Sequence, residues 1–348
     1  MLVLIIVLFF IVHAFCFFSN SSRCREASLY TYLSVLIFGL YVFIFFFKSE
    51  QFGADTKNYL ADFSGFCISP NLYEGIDYSY EYSFKLINFL MLGECNPEWL
   101  MWIWAIFIFS ILIVIIFFSG VSFIYIVSIV SSFIGIELLT NAMRQGFSIV
   151  IFLLAIVFLY KNRLVIHVFF LLLSFAFHQS TILIFGFLLL SKFNYKVFTP
   201  LLLLTVTLVF SSSSIDFLTF VLDFKMMILR YIPYSSDDFI IRILGFLNFS
   251  LVLFIAKSYI GRENDIISNV IINLFSLSLL CSFVPYFGFR IIYGLFPVFI
   301  LISVLYFKGK SADYKRYLSL VTVINSFFAI FWLLGSSQMR KIDFMSFL

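Results

Sequence analysis

Four polar groups interrupt otherwise apolar stretches of the sequence. They are Arg144 in Asn141-Ala-Met-Arg-Gln-Gly, His178 in Phe177-His-Gln-Ser-Thr, Arg290 in Pro285-Tyr-Phe-Gly-Phe-Arg, and Arg230 in a polar loop. An ionisable group in hydrocarbon costs about 2.5–3.5 kcal/mol even on lenient scales, so such residues mark function or a specific partner. Three arginines and a histidine on one side make an anion site, because guanidinium groups match phosphate oxygens bidentately. Each has a plainer employment as well. Arg144 and Arg290 can snorkel from helix starts, Arg144 can pair with Glu137, His178 can satisfy backbone at a broken helix, and Arg230 can sit in water.

A second kind of surface lies in the polar stretch before residue 98. Tyr59, Tyr73, Tyr78, Tyr80 and Tyr82 mix there with Asp55, Asp62, Glu74, Asp77 and Glu81. Aromatic faces beside carboxylates suit the C–H faces and hydroxyls of sugars. An interfacial amphipathic segment over Tyr78–Leu92 is the structural alternative. There is no glycine-rich phosphate loop, HExxH, CxxC or DxD arrangement, and no basic run for nucleic acid. No metal or other cofactor is expected.

These groups must be positioned by membrane helices. Hydrophobic residues make up 63% of the 348 and charged residues 11%, against roughly a quarter charged in soluble domains. Apolar stretches of about 20 residues recur, each long enough for roughly 30 Å of hydrocarbon, and strand-like alternation is absent. The fold class is therefore all-α and polytopic, a single transmembrane domain over 1–348. About ten full spans are expected: Leu2–Phe18, Leu29–Phe47, Trp99–Phe118, Val121–Leu139, Met143–Tyr160, Val197–Ser212, Ile241–Ala256, Ile266–Val284, Ile291–Phe307 and Leu318–Leu334. The first lacks a basic n-region and a small-residue cleavage site, so it reads as a helix and not as a signal peptide.

Leu164–Leu190, about 27 residues, is too long for one comfortable crossing and short for two. If it dips in and turns back near His178 as a re-entrant pair, five basic groups fall on one side. They are Arg23/Arg25, Lys161/Arg163, Lys192/Lys196, Lys257/Arg262 and Lys308/Lys310/Lys315/Arg316. That side is cytoplasmic by the positive-inside rule, and both termini face outward. External loops then span 48–98 and 215–240, and 14 of the 18 acidic residues are external. Trp99, Trp102, Trp104 and Trp332 fall near the outer interface, as an aromatic belt would. Cys67 and Cys95 share the first external loop, so a disulfide between them is expected if that side is oxidising. All four polar groups face outward in this topology.

At these same residues the chain resembles the EpsG family of polysaccharide-assembly proteins, relatives of Wzy-type O-antigen polymerases. The matching pieces are Phe52-Gly-Ala-Asp-Thr-Lys-Asn-Tyr-Leu-Ala-Asp-Phe, Tyr80-Glu-Tyr-Ser-Phe-Lys-Leu-Ile-Asn, Met143-Arg-Gln-Gly, Phe177-His-Gln-Ser-Thr and Phe289-Arg-Ile-Ile-Tyr. They occur in order across about residues 30 to 300. The family often carries an arginine before the Gly-x-Asp piece, where this chain has Lys48, Glu50 and Gln51. The resemblance implies metal-independent polymerisation of undecaprenyl-pyrophosphate-linked oligosaccharides at the outer, periplasmic face of a bacterial inner membrane. It makes Arg144, His178 and Arg290 the catalytic candidates, and Asp55, Tyr59, Glu81, Arg230 and Tyr293 the substrate-binding ones. Lipid-linked oligosaccharide and membrane lipid are the partners, with a chain-length regulator as a further one. The competing readings are an O-antigen ligase or other membrane glycan transferase, and a lipid-linked oligosaccharide flippase. A flippase should show inverted repeats and a polar path open to both sides.

Overall fold

The computed structural model describes residues 56–69, 78–91, 93–121, 123–140, 142–178, 180–200, 239–260, 265–283, 287–307 and 311–335, with scattered residues before 43. Among the described residues every regular element is an α-helix. The chain forms two compact units: Met1–Thr181 with Pro297–Leu348, and Ile182–Phe296.

The first unit holds α1 (Thr56–Ile68), α2 (Tyr78–Leu90), α3 (Pro97–Ser119), α4 (Ile124–Val130), α5 (Phe133–Thr140), α6 (Met143–Tyr160) and α7 (Leu164–Phe177). α3 has 23 residues, about 35 Å at 1.5 Å per residue. Its stretch Trp99–Ser119 is the one described helix long and apolar enough to cross a bilayer unaided. The apolar stretches described within the other helices run 10–17 residues, so the described residues bear out the all-helical class and leave about ten full crossings as an expectation. Trp99, Trp102, Ile106, Ile113 and Phe117 line one face of α3 at helical spacing and are exposed, Phe117 to 81%. Val165 on α7 is 84% exposed. Apolar faces turned outward along whole helices fit lipid and not water as the surrounding medium.

Two expectations need correction. The span Val121–Leu139 is not one helix; it breaks at Ser131–Ser132 between α4 and α5. Ser132 Oγ donates to the Ile129 carbonyl at 2.6 Å and accepts the Gly135 N–H at 2.8 Å, replacing helical partners with its own. Asn325, on α12 (Ser311–Gly335), donates Nδ2 to the Ser128 carbonyl at 2.6 Å, so the break is satisfied from another helix. The second correction concerns the tryptophan belt. Trp104 and Trp332 are buried, packed on Tyr59 and Phe133 at ring separations of 5.4 and 6.2 Å.

α7 lies along α6, fastened by His167 Nδ1, 2.8 Å from the Ala155 carbonyl, and by the stacked rings of Phe158 and Phe170. The second unit holds most of α8 (Ser180–Leu190), α9 (Phe239–Ile260), α10 (Asp265–Phe283) and the start of α11 (Phe287–Phe307). α9 packs on α10, and Asn273 Nδ2 donates to the Ser191 and Phe193 carbonyls, each at 2.8 Å, capping the end of α8. The unit boundary in α11 falls at Pro297, which cannot donate to the carbonyl one turn earlier.

Candidate functional site

Arg144 occupies the second position of α6, half-buried, just past the turn from α5. The turn is tight because position 146 is glycine. A Cβ there would be driven into the Leu138 carbonyl of α5. The Ala142 N–H reaches the Glu137 carbonyl at 2.8 Å, and the Gly146 N–H reaches the Ala142 carbonyl at 2.8 Å. Glu137 itself is buried on α5.

One turn past Arg144, Phe147 meets Phe177 edge-on at 4.7 Å and Phe107 of α3 at 5.9 Å. Phe177 directly precedes His178. The structure therefore gathers Arg144 and His178 around one aromatic contact, although 34 positions separate them in the chain. Below that contact Ser148 and Ser174 exchange hydrogen bonds: Ser148 Oγ donates to the Ser174 carbonyl at 2.7 Å, and Ser174 Oγ to the Ser148 carbonyl at 3.0 Å. Both serines are fully buried, so the cross-link holds α6 and α7 in a fixed register.

The helix breaks at His178, as its length predicts. His178 is extended, with φ −159° and ψ 120°. Its N–H donates to the Ser174 carbonyl at 3.2 Å, and its carbonyl accepts Thr181 Oγ1 at 2.6 Å and the Thr181 N–H at 3.2 Å. The imidazole is held too. Nδ1 lies 2.7 Å from Ser180 Oγ and accepts the Ser180 N–H at 3.2 Å. Within the motif Phe177-His-Gln-Ser-Thr, Ser180 thus holds the histidine ring and Thr181 its carbonyl.

α1 brings the sugar-type surface to the same neighbourhood. Tyr59 is buried with its ring on Trp104, and Asp62 lies one turn further along α1. Burial pushes the Asp62 carboxyl above its ordinary range, and Arg144 pulls in the opposite direction without cancelling the rise. Sequence reasoning placed Asp62 in the carboxylate-rich loop without selecting it; the Tyr59–Asp62 helical spacing was the available signal. A disulfide joins Cys67 at the end of α1 to Cys95 before α3, with Cα atoms 5.7 Å apart, as expected. The turn carrying Cys95 uses left-handed backbone at Gly93 (φ 83°) and at Cys95 itself (φ 43°).

Arg290 is in the first turn of α11 and Tyr293 is buried one turn on, both in the second unit. Glu81 is on α2, and its side chain, like that of Arg290, is outside the described residues. Asp55 and Arg230 also fall outside them. Among the described residues no three His, Cys, Asp or Glu side chains cluster as metal ligands would. In chemical terms this unit carries a guanidinium, a clasped imidazole and a carboxyl of raised pKa, groups that suit anion binding and proton transfer. The model of the EpsG family matches residues 30–345, nearly the whole chain. No curated protein and no solved structure matches it.

Proposed function

The chain belongs to the EpsG family, and from that premise we propose that it polymerises undecaprenyl-pyrophosphate-linked oligosaccharide repeat units at the outer face of a bacterial inner membrane. The family carries a membrane role of the polysaccharide-polymerase type; the lipid, the face and the reaction are our reading. The observation that carries it is the Phe147–Phe177 contact, which brings the segments of Arg144 and His178 together within one unit. The reaction asks for two things. Negative charge develops on the departing pyrophosphate, and arginine stabilises it without a metal. The attacking sugar hydroxyl loses a proton, which a positioned side chain accepts.

In this reading Arg144 and Arg290 clamp the pyrophosphate. Asp55, Tyr59, Glu81, Arg230 and Tyr293 contribute to holding sugars and lipid head group, and a chain-length regulator is a further partner. The Cys67–Cys95 bridge supports an external position for the loop at 48–98, because such bridges persist on the oxidising side. Deleting the gene in its host and running the surface polysaccharide on a gel tests the assignment. Single-repeat glycan is the expected result. Undecorated lipid A-core would make the protein a ligase, and complete loss of surface glycan would make it a flippase.

A further inference from the structure

Several serines of the first unit spend their hydroxyls on their own helix. Ser128, Ser132 and Ser303 each donate to the carbonyl three positions back, at 2.6–2.8 Å. Ser148 and Ser174 reach across instead. Ser148 Oγ donates to the Ser174 carbonyl at 2.7 Å, and Ser174 Oγ to the Ser148 carbonyl at 3.0 Å. A third hydroxyl joins them. Thr181 Oγ1 lies 3.3 Å from Ser148 Oγ, donates to the His178 carbonyl at 2.6 Å and stands 3.3 Å from the Ser174 carbonyl. All three side chains are fully buried.

His178 is bracketed by this group. Ser174 precedes it by one turn, Thr181 follows it by three positions, and both meet at Ser148. Ser148 in turn follows Arg144 by four positions on α6, so the two share one face of that helix. The hydroxyls therefore tie the chain on both sides of the break to the helix that carries the arginine.

On the polymerase reading, we propose that Ser148, Ser174 and Thr181 are positioning residues: they set His178 against Arg144 and act on the rate through that placement. Their net worth to the fold is small, because hydroxyls released from a helix interface return to their own backbone. Their geometry is exacting. Sliding α7 along α6 by one residue, about 1.5 Å, would break both serine bonds. A misplacement of about 1 Å can cost about 10²-fold in rate. Nor does their removal strip a carbonyl bare. The Ser174 carbonyl keeps the His178 N–H and the His178 carbonyl keeps the Thr181 N–H, each at 3.2 Å. The Ser148 carbonyl lies inside α6, where the N–H four positions on faces it.

The test uses full-length protein in lipid vesicles with lipid-linked repeat units extracted from the deletion strain, and rates are taken per inserted protein. The double variant Ser148→Ala, Ser174→Ala should lower kcat by about 10–10² with KM little changed, and so should Thr181→Val. Thr181→Ser keeps the hydroxyl and should restore most of the rate. Placed in an Arg144→Ala or His178→Ala background, the same changes should cost almost nothing more, because residues acting as a unit lose their joint effect once. A purely structural role predicts less inserted protein, unchanged kcat and the same loss in every background. Should the double variant fail to accumulate, Ser148→Ala alone is read in the same way. Unchanged kcat, a full further loss in the Arg144→Ala background, or loss of protein from every hydroxyl variant overturns the positioning role while the polymerase reading stands. Wild-type protein that cannot elongate the units removes the polymerase reading, and the positioning role with it.

Discussion

A guanidinium at the start of an apolar helix has two employments, and a single substitution tells them apart. If Arg144 and Arg290 grip pyrophosphate bidentately, lysine cannot replace them, because it is a point charge without the planar fork. Arg→Lys at either position should then lose about 10²–10³ in rate, nearly as much as Arg→Ala, with protein amount unchanged. Snorkelling predicts the reverse order: lysine tolerated, alanine lowering the amount of inserted protein. Glycan ladder length in a complemented deletion strain, beside a blot, reads both. Full ladders from both lysine variants would remove the clamp. Arg144 and His178 were legible in the sequence because each is an ionisable residue set in apolar surroundings. Asp62 was not, because it stands among many carboxylates and the burial that raises its carboxyl comes only with packing.

Elements carry the next layer of constraint, and here a glycine matters more than any charge. Gly146 lets α6 start against the Leu138 carbonyl of α5, and that start sets where Arg144 emerges. Gly146→Ala should force the two helices apart, costing about 1–3 kcal/mol of stability as overpacking does. A lowered Tm, with activity reduced more than protein amount, is the expected outcome; a variant with unchanged Tm would show the contact to be slack. The break at His178 was legible from the length of Leu164–Leu190 taken together with the side on which a turn there places the flanking basic groups. The break at Ser131–Ser132 was not. Hydropathy runs through it without a dip, and the bond that satisfies the Ser128 carbonyl comes from Asn325, distant in the chain. A sequence window sees serines that a helix tolerates; only tertiary packing makes them a break.

At the scale of the whole molecule, outward-facing apolar helices and the Cys67–Cys95 bridge bear on which side each loop occupies. Phe254 on α9 is 70% exposed, as Phe117 and Val165 are in the first unit, so both units turn apolar surface outward. The expected sidedness rests on the charge argument, which hinges on Leu164–Leu190 turning back on itself. With that turn, the five basic groups Arg23/Arg25, Lys161/Arg163, Lys192/Lys196, Lys257/Arg262 and Lys308/Lys310/Lys315/Arg316 share the cytoplasmic side. With a single crossing, those from Lys192 onward would lie opposite the earlier ones. Single cysteines introduced for impermeant labelling should therefore be protected at Lys192 and Lys310 and reactive from outside at Asn71 and Ser236. The native bridge gives an internal control, since the Cys67–Cys95 loop, 28 positions apart, should be recovered intact in non-reduced peptides. Closing it restricts the unfolded chain by roughly 3–4 kcal/mol in the entropy model, so reduction should also lower Tm. Labelling of Lys192 from outside would make Leu164–Leu190 a single crossing. Arg290 would then have to be reassigned to the cytoplasmic face, opposite the side proposed for the reaction. Protection at Lys192 with reactivity at Ser236 would keep every arginine of the proposed site on the side where the lipid-linked glycan is joined.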